Sequence, residues 1–197
     1  MMTLFILMLI IAYLFGSINS AIIVCLLMGL PSPRSVGSGN PGATNVLRLG
    51  NKKAAAITLI SDSLKGVIPV VAAHLLGLNA TMIGWVALLC VMGHIFPVFF
   101  GFKGGKGVAT LIGVILGFNW LLAVIFIISW LIVAVVTRYS SLSALIAITV
   151  TAIAVIFMYS SLTALPFIIM AVIVILRHHQ NIARLLNGTE SKVGAKK

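Results

Sequence analysis

The stretch "GVATLIGVILGFNWLLAVIFIISWLIVAVVT", residues 107–137, runs for 31 residues without a charged side chain. A helix rises about 1.5 Å per residue and the bilayer's hydrocarbon core is about 30 Å thick, so one crossing needs about 20 residues. The run is too long for one crossing, and Gly117-Phe118-Asn119 interrupts its middle. It reads as two membrane helices joined by a tight hairpin. Residues 142–176 repeat the pattern, with the break at Tyr159-Ser160-Ser161.

Outward from there, the remaining apolar runs are roughly 3–30, 54–78 and 80–100. The chain is 61% hydrophobic and 8% charged, whereas soluble domains carry about 25% charged residues. Lipid is therefore the solvent. The expected fold is an all-α integral membrane protein with seven transmembrane helices in a single polytopic domain over 1–197. The spans are placed at about 3–30, 54–78, 80–98, 107–117, 119–137, 142–158 and 162–176. Loops at 31–53 and 99–106 and a tail at 177–197 complete the chain. Met1 to Leu30 has no basic leader, and its apolar run exceeds that of a signal peptide, so it is read as a retained first span.

Charge orients the bundle. Thirteen Lys and Arg face only Asp62 and Glu190, for a net charge of +11. Arg34, Arg48, Lys52, Lys53, Lys103, Lys106, Arg138 and the basic tail fall on one side, while the turns near 79, 118 and 160 carry no Lys or Arg. The positive-inside rule then puts the N-terminus outside, on the periplasmic face, and the C-terminus in the cytoplasm. Topology accounts for much of the basic excess, and no nucleic-acid partner is expected. Asp62 and Lys65, three apart within a span, are read as a structural pair that neutralises itself in the membrane. His74 and His94 lie at span positions and are read as buried structural histidines. Cys25 and Cys90 lack a C-x-x-C spacing and are read as small reduced hydrophobes.

Three polar, glycine-rich stretches share the cytoplasmic face. The first, "GSGNPGATNVLRLG" at 37–50, contains G-x-G-x-x-G, but a membrane helix and two prolines precede it where a dinucleotide site needs a strand. Its chemistry still suits an anion. Gly37 and Gly39 let backbone N–H groups approach closely, and Ser38, Asn40, Thr44 and Asn45 add neutral hydrogen-bonding groups. A turn at Pro41–Gly42 followed by a helix would set Thr44 and Arg48 one turn apart on one face.

The second stretch, "GHIFPVFFGFKGGKG" at 93–107, fails the phosphate-loop pattern because position 100 is Phe and position 107 is Gly. Lys103, Gly104, Gly105 and Lys106 nevertheless offer two ammonium groups on thinly covered backbone, which suits a compact phosphate. The third, "RHHQNIARLLNGTE" at 177–190, spaces His178 and Asn181 to share a helix face; His178 could act as a base or as a phosphate donor. Two carboxylates in the whole chain leave too few ligands for a hard metal ion, so no metal and no cofactor are expected. The same scarcity excludes multi-Asp phosphotransferase motifs, and H-x-x-x-x-D is absent because positions 99 and 183 are Phe and Ala.

Together the three stretches, with "FGSIN" at 15–19 and "DSLKG" at 62–66, resemble the motifs of bacterial acyl-phosphate:glycerol-3-phosphate acyltransferases, the PlsY family. The resemblance spans nearly the whole chain and departs from the family only at Ser61, where leucine is commoner. It implies transfer of a fatty acyl group from acyl phosphate to the sn-1 hydroxyl of glycerol 3-phosphate. Lysophosphatidic acid and inorganic phosphate would be the products, and a monomer in the bacterial inner membrane is expected.

On this resemblance Ser38, His178 and Asn181 are candidate catalytic residues. Arg48, Lys103, Gly104, Gly105 and Lys106 would hold glycerol 3-phosphate. Gly37, Gly39, Asn40, Thr44 and Asn45 would meet the acyl phosphate or its oxyanion, and Glu190 would be structural. The proton acceptor stays open between His178 and a substrate phosphate, whose second pKa is about 6. An acyl-enzyme on Ser38 is a third route. The rival function is a transporter or channel for small phosphorylated anions, which would need polar residues on both membrane faces.

Overall fold

The computed structural model describes residues 1–193; the last four residues of the expected 177–197 tail lie outside the described part. Among the described residues every regular element is helical. The chain divides into two compact units, one of Met1–Phe118 and one from Asn119 onward.

The first unit holds α1 (Met2–Gly16), α2 (Ser20–Leu27), α3 (Ala43–Arg48), α4 (Lys52–Leu75), α5 (Ala80–Ile95) and α6 (Val108–Phe118), with a 3₁₀ turn at Val98–Phe100. The second holds α7 (Trp120–Thr137), α8 (Ser140–Met158), α9 (Ser161–Arg177) and α10 (His179–Leu186). Four segments are long and apolar enough to cross a membrane: α4, Ala80–Phe100, α7 and α8. The bent pairs α1–α2 and α9–α10 raise the number to six if each is one span. Helix α6 has eleven residues, about 16 Å at 1.5 Å per residue.

Membrane character shows in α4, which is inside-out by the standard of a soluble helix. Thr58, Asp62 and Lys65 are buried, while Leu59, Ile60, Leu64 and Ile68 are exposed on its outer face. Water would penalise that arrangement; lipid does not. Small residues then let helices approach. On α1 and α5, a Cβ at Gly16 would strike the Cys90 carbonyl, and one at Gly93 would strike that of Tyr13. On α4 and α6, Gly66 lies on Thr110 and Gly113 on Ser63. Backbone-to-backbone contact is the usual source of association where lipid removes the hydrophobic drive.

The expected single span 3–30 is not one straight helix. It bends by 41° between α1 and α2. Asn19 causes this: its side chain accepts from Ile22 N at 3.2 Å, so Ile22 no longer bonds the Ile18 carbonyl. The freed Ile18 carbonyl accepts from Lys65 Nζ at 2.6 Å. The breaks within the two long runs are also helix ends. Asn119 caps α7 by accepting from Leu121 N at 2.9 Å, and its Nδ2 donates to the Tyr159 hydroxyl at 2.7 Å, tying both breaks of the second unit together. His74 corrects the reading as a buried histidine. It sits exposed in the last turn of α4, its ring 6.1 Å from that of Phe118, because the helix ends one residue later.

Candidate active site

In the first loop Asn45 is the organising residue. It is 1% exposed. Its Oδ1 accepts from Ser38 N at 2.9 Å, and its Nδ2 donates to the carbonyls of Pro33 at 2.7 Å and Val36 at 3.0 Å. Both amide hydrogens are therefore used in closing the loop. Gly37 sits at φ +61°, and a Cβ there would collide with Asn45 Oδ1, so side-chain clasp and glycine require each other. Gly39 N donates to the Val36 carbonyl at 3.0 Å. Within the Gly37–Asn40 backbone, the N–H groups of Gly37 and Asn40 make no bond to another described residue. The chain then turns at Pro41–Gly42 into α3, where Thr44 and Arg48 lie four apart on one exposed face.

The second loop folds back over the end of α5. Phe100 N and Phe102 N both donate to the Pro97 carbonyl, at 3.1 and 2.9 Å, and Gly104 N and Gly105 N return to the carbonyls of Ile95 and His94 at 3.1 and 3.3 Å. A Cβ on Gly104 would strike those same two carbonyls, and one on Gly105 would strike the His94 ring and come within 3.0 Å of the Pro41 carbonyl. Glycine at 104 and 105 thus serves close approach, and its N–H groups are engaged internally. The two loops meet at Gly105–Pro41 and again through Arg34, whose Nη2 donates to the carbonyls of Phe100, at 3.0 Å, and Lys103.

Below Gly105 lies a buried polar cluster in the apolar interior. His94 Nδ1 is 3.1 Å from Thr110 Oγ1 and 3.7 Å from Asp62 Oδ1, and Lys65 Nζ is 2.8 Å from the same Asp62 oxygen. All three charged or ionisable members are at most 6% exposed. Lys65 also reaches the freed carbonyl of Ile18, and Cys90 Sγ donates to the Lys65 carbonyl at 3.2 Å. The cluster joins four helices, α1 through its broken end, α4, α5 and α6, directly under the second loop.

Ser38, Thr44, Arg48 and Lys103 are exposed, and their side chains bond to no other described residue. Asn40 and Lys106 are half-buried. The unit therefore divides its polar residues into those that build the loops and those that face outward.

The third stretch belongs to the second unit. His178 marks a 56° bend between α9 and α10, and it is 2% exposed. Its Nδ1 lies 2.7 Å from the Val174 carbonyl, which can only accept, so that nitrogen carries a hydrogen. Glu190 is the hub of this unit. It accepts from Ser141 Oγ at 2.7 Å, Asn181 Nδ2 at 2.7 Å and Arg184 Nε at 2.6 Å. Burial alone would raise the Glu190 pKa. The hydrogen bonds from Ser141, Arg184 and Asn181, with the Arg184 charge, outweigh it and hold the carboxyl below its ordinary value.

Sequence reasoning missed Arg34, counted only as an inner-loop charge, along with Thr110 and Ser141; their partners lie on other elements at no fixed spacing.

Comparison with known proteins places these features in a family. Residues 6–188 match the family described as glycerol-3-phosphate acyltransferase. A glycerol-3-phosphate acyltransferase of Francisella tularensis subsp. novicida (strain U112) is 60% identical over 188 residues, covering 95% of this chain and 92% of that protein. One from Francisella philomiragia subsp. philomiragia is 59% identical, covering 96% and 93%. The crystal structure of PlsY (YgiH), an integral membrane glycerol 3-phosphate acyltransferase, in its glycerol 3-phosphate form, superposes with a TM-score of 0.91 at 38% identity, covering 96% of each chain. Its lysophosphatidic acid form gives 0.88 at 36% identity, covering 96% of this chain and 95% of that one.

Proposed function

The chain belongs to the glycerol-3-phosphate acyltransferase family, and we propose that it moves a fatty acyl group from acyl phosphate to the sn-1 hydroxyl of glycerol 3-phosphate. The hydroxyl oxygen bonds to the acyl carbon, the carbon–oxygen bond to phosphate breaks, and inorganic phosphate leaves beside lysophosphatidic acid. One observation carries the reading. On two interlocked loops the side chains of Ser38, Thr44, Arg48 and Lys103 face outward without internal partners, while their neighbours close the loops. Cations and hydroxyls held on a rigid backbone are what two phosphorylated substrates require.

Arg48, Lys103 and Lys106 hold the glycerol 3-phosphate dianion, and Gly104 and Gly105 let the loop lie flat beneath it. Ser38, Thr44 and the N–H groups of Gly37 and Asn40 meet the acyl phosphate and the oxyanion formed at its carbonyl. Asn45 and Gly39 act on the same substrate through the shape of the loop. His178 and Asn181 enter through their motif. With its Nδ1 hydrogen given to the Val174 carbonyl, His178 would accept the hydroxyl proton at Nε2, and a substrate phosphate oxygen is the alternative acceptor. His178→Asn separates them: a ~10²–10⁴-fold loss in kcat marks a general base, and a rise confined to KM marks binding.

The reaction needs no metal, since the two carboxylates already serve as ion-pair and hydrogen-bond partners; activity should survive EDTA. The protein acts as a monomer in the bacterial inner membrane. Its seven apolar helical segments cross with the N-terminus outside and the basic loops in the cytoplasm, the short α6 sheltered against α4. A reporter fused at residue 118 that proved cytoplasmic would overturn that topology.

The decisive assay supplies purified protein in detergent with acyl phosphate and glycerol 3-phosphate. Phosphate and lysophosphatidic acid should appear together, and acyl-CoA should not replace the donor. A folded preparation that released no phosphate would refute the function.

A further inference from the structure

Arg34 lies outside the residues assigned to either substrate, yet it is the side chain that bridges the two loops. Its Nη2 carries two hydrogens and donates to two carbonyls of the second loop, those of Phe100 and Lys103. Between them the backbone is unusual. Gly101 sits at φ +66° and Phe102 at φ +58°. Glycine adopts that region readily, but a bulky residue there is strained and persists only where its surroundings hold it. Arg34 grips the chain on both sides of Phe102, and the Pro97 carbonyl grips it from beneath. On the other side, Arg34 follows Pro33, whose carbonyl is fixed by Asn45.

We propose that Arg34 is a positioning residue for the phosphate of glycerol 3-phosphate. It transmits the shape of the first loop to Lys103 by holding Phe102 in its left-handed conformation. This rests on the assignment of Lys103 to glycerol 3-phosphate. Arg34 is exposed, so its removal leaves the helical core intact, and surface changes of this kind seldom alter stability appreciably. Phe102 is 57% exposed, so Phe102→Gly also empties no core while removing the cost of positive φ.

The test compares wild type, Arg34→Ala, Phe102→Gly and the double variant. A misplacement of order an ångström costs up to ~10²-fold, so Arg34→Ala should raise KM for glycerol 3-phosphate by about 10- to 100-fold. KM for acyl phosphate and the detergent melting temperature should stay near wild type. Phe102→Gly should recover part of the loss in the double variant, because the loop no longer needs holding. Three results would overturn the proposal: an unchanged KM for glycerol 3-phosphate, an equal rise for both substrates with a fall in melting temperature, or no recovery on adding Phe102→Gly. The last outcome would mark Arg34 as a direct phosphate contact. Hydrogen exchange over residues 99–106 provides a readout free of the substrate assignment. If wild type fails to use glycerol 3-phosphate, the function is wrong, while faster exchange in Arg34→Ala still upholds the loop-holding role and unchanged exchange refutes it.

Discussion

Asn45→Ala tests how the first loop is built. The substitution deletes three hydrogen bonds, from Ser38 N and to the carbonyls of Pro33 and Val36. At about 1 kcal/mol net for each, the loop loses about 3 kcal/mol, with more where a buried group finds no water. The helices around it keep their contacts, so the loss falls on local opening rather than on global melting. Three kilocalories shift a local equilibrium on the order of 10²-fold. Amide exchange at residues 33–40 should accelerate by that factor, while kcat/KM for the acylation falls and the melting temperature moves little. Asn45→Asp keeps the acceptor for Ser38 N but sets a carboxylate against two carbonyls, so it should open the loop at least as far. A loss of kcat in Asn45→Ala with exchange at 33–40 unchanged would show Asn45 touching the reacting groups. Unchanged exchange and unchanged activity would sink the reasoning altogether.

Other consequences follow from the same geometry. Gly105→Ala places a methyl into the His94 ring and near the Pro41 carbonyl, an overpacking worth ~1–3 kcal/mol; the binding of glycerol 3-phosphate should weaken more than that of acyl phosphate, read as separate KM values. Asp62→Ala leaves Lys65 buried without its carboxylate, a change of ~3–5 kcal/mol, whereas Asp62→Ala combined with Lys65→Met should recover most of the melting temperature. A double variant no more stable than Asp62→Ala would contradict the pairing. Glu190 has a depressed pKa, so its contribution is complete above the ordinary carboxylate value of about 4.3 and is lost as pH falls through the lower folded value. Melting temperature should therefore drop between about pH 4 and lower values in wild type, and the drop should be shallower in Glu190→Gln. Identical pH profiles would show that Glu190 is not held by its three donors.

Much of the helical plan was legible along the chain. The breaks at Gly117–Asn119 and Tyr159–Ser161 could be read because a run of 31 apolar residues exceeds one crossing, and each break coincides with a helix end. The bend at Ser17–Asn19 was not legible. It depends on Asn19 capturing Ile22 N and on Lys65 donating to the released carbonyl of Ile18, 47 residues away. The loop residues divided in the same way. Glycine spacing and the lysines marked the loops as candidates for anion binding, but only the fold separated Asn45, which closes the loop, from Ser38 and Thr44, which face outward.

The sequence by itself determined the solvent, the helical runs, the clustering of positive charge between those runs and the three polar stretches. Each is a sum over neighbouring residues, because hydropathy and charge act on a segment as a whole wherever it later packs. The tertiary structure alone decided which polar groups build and which remain available. That choice depends on hydrogen-bond partners far apart in the chain, such as Arg34 and the Lys103 carbonyl, 69 positions apart. Directional bonds require ångström-scale placement, which no local pattern of residues encodes.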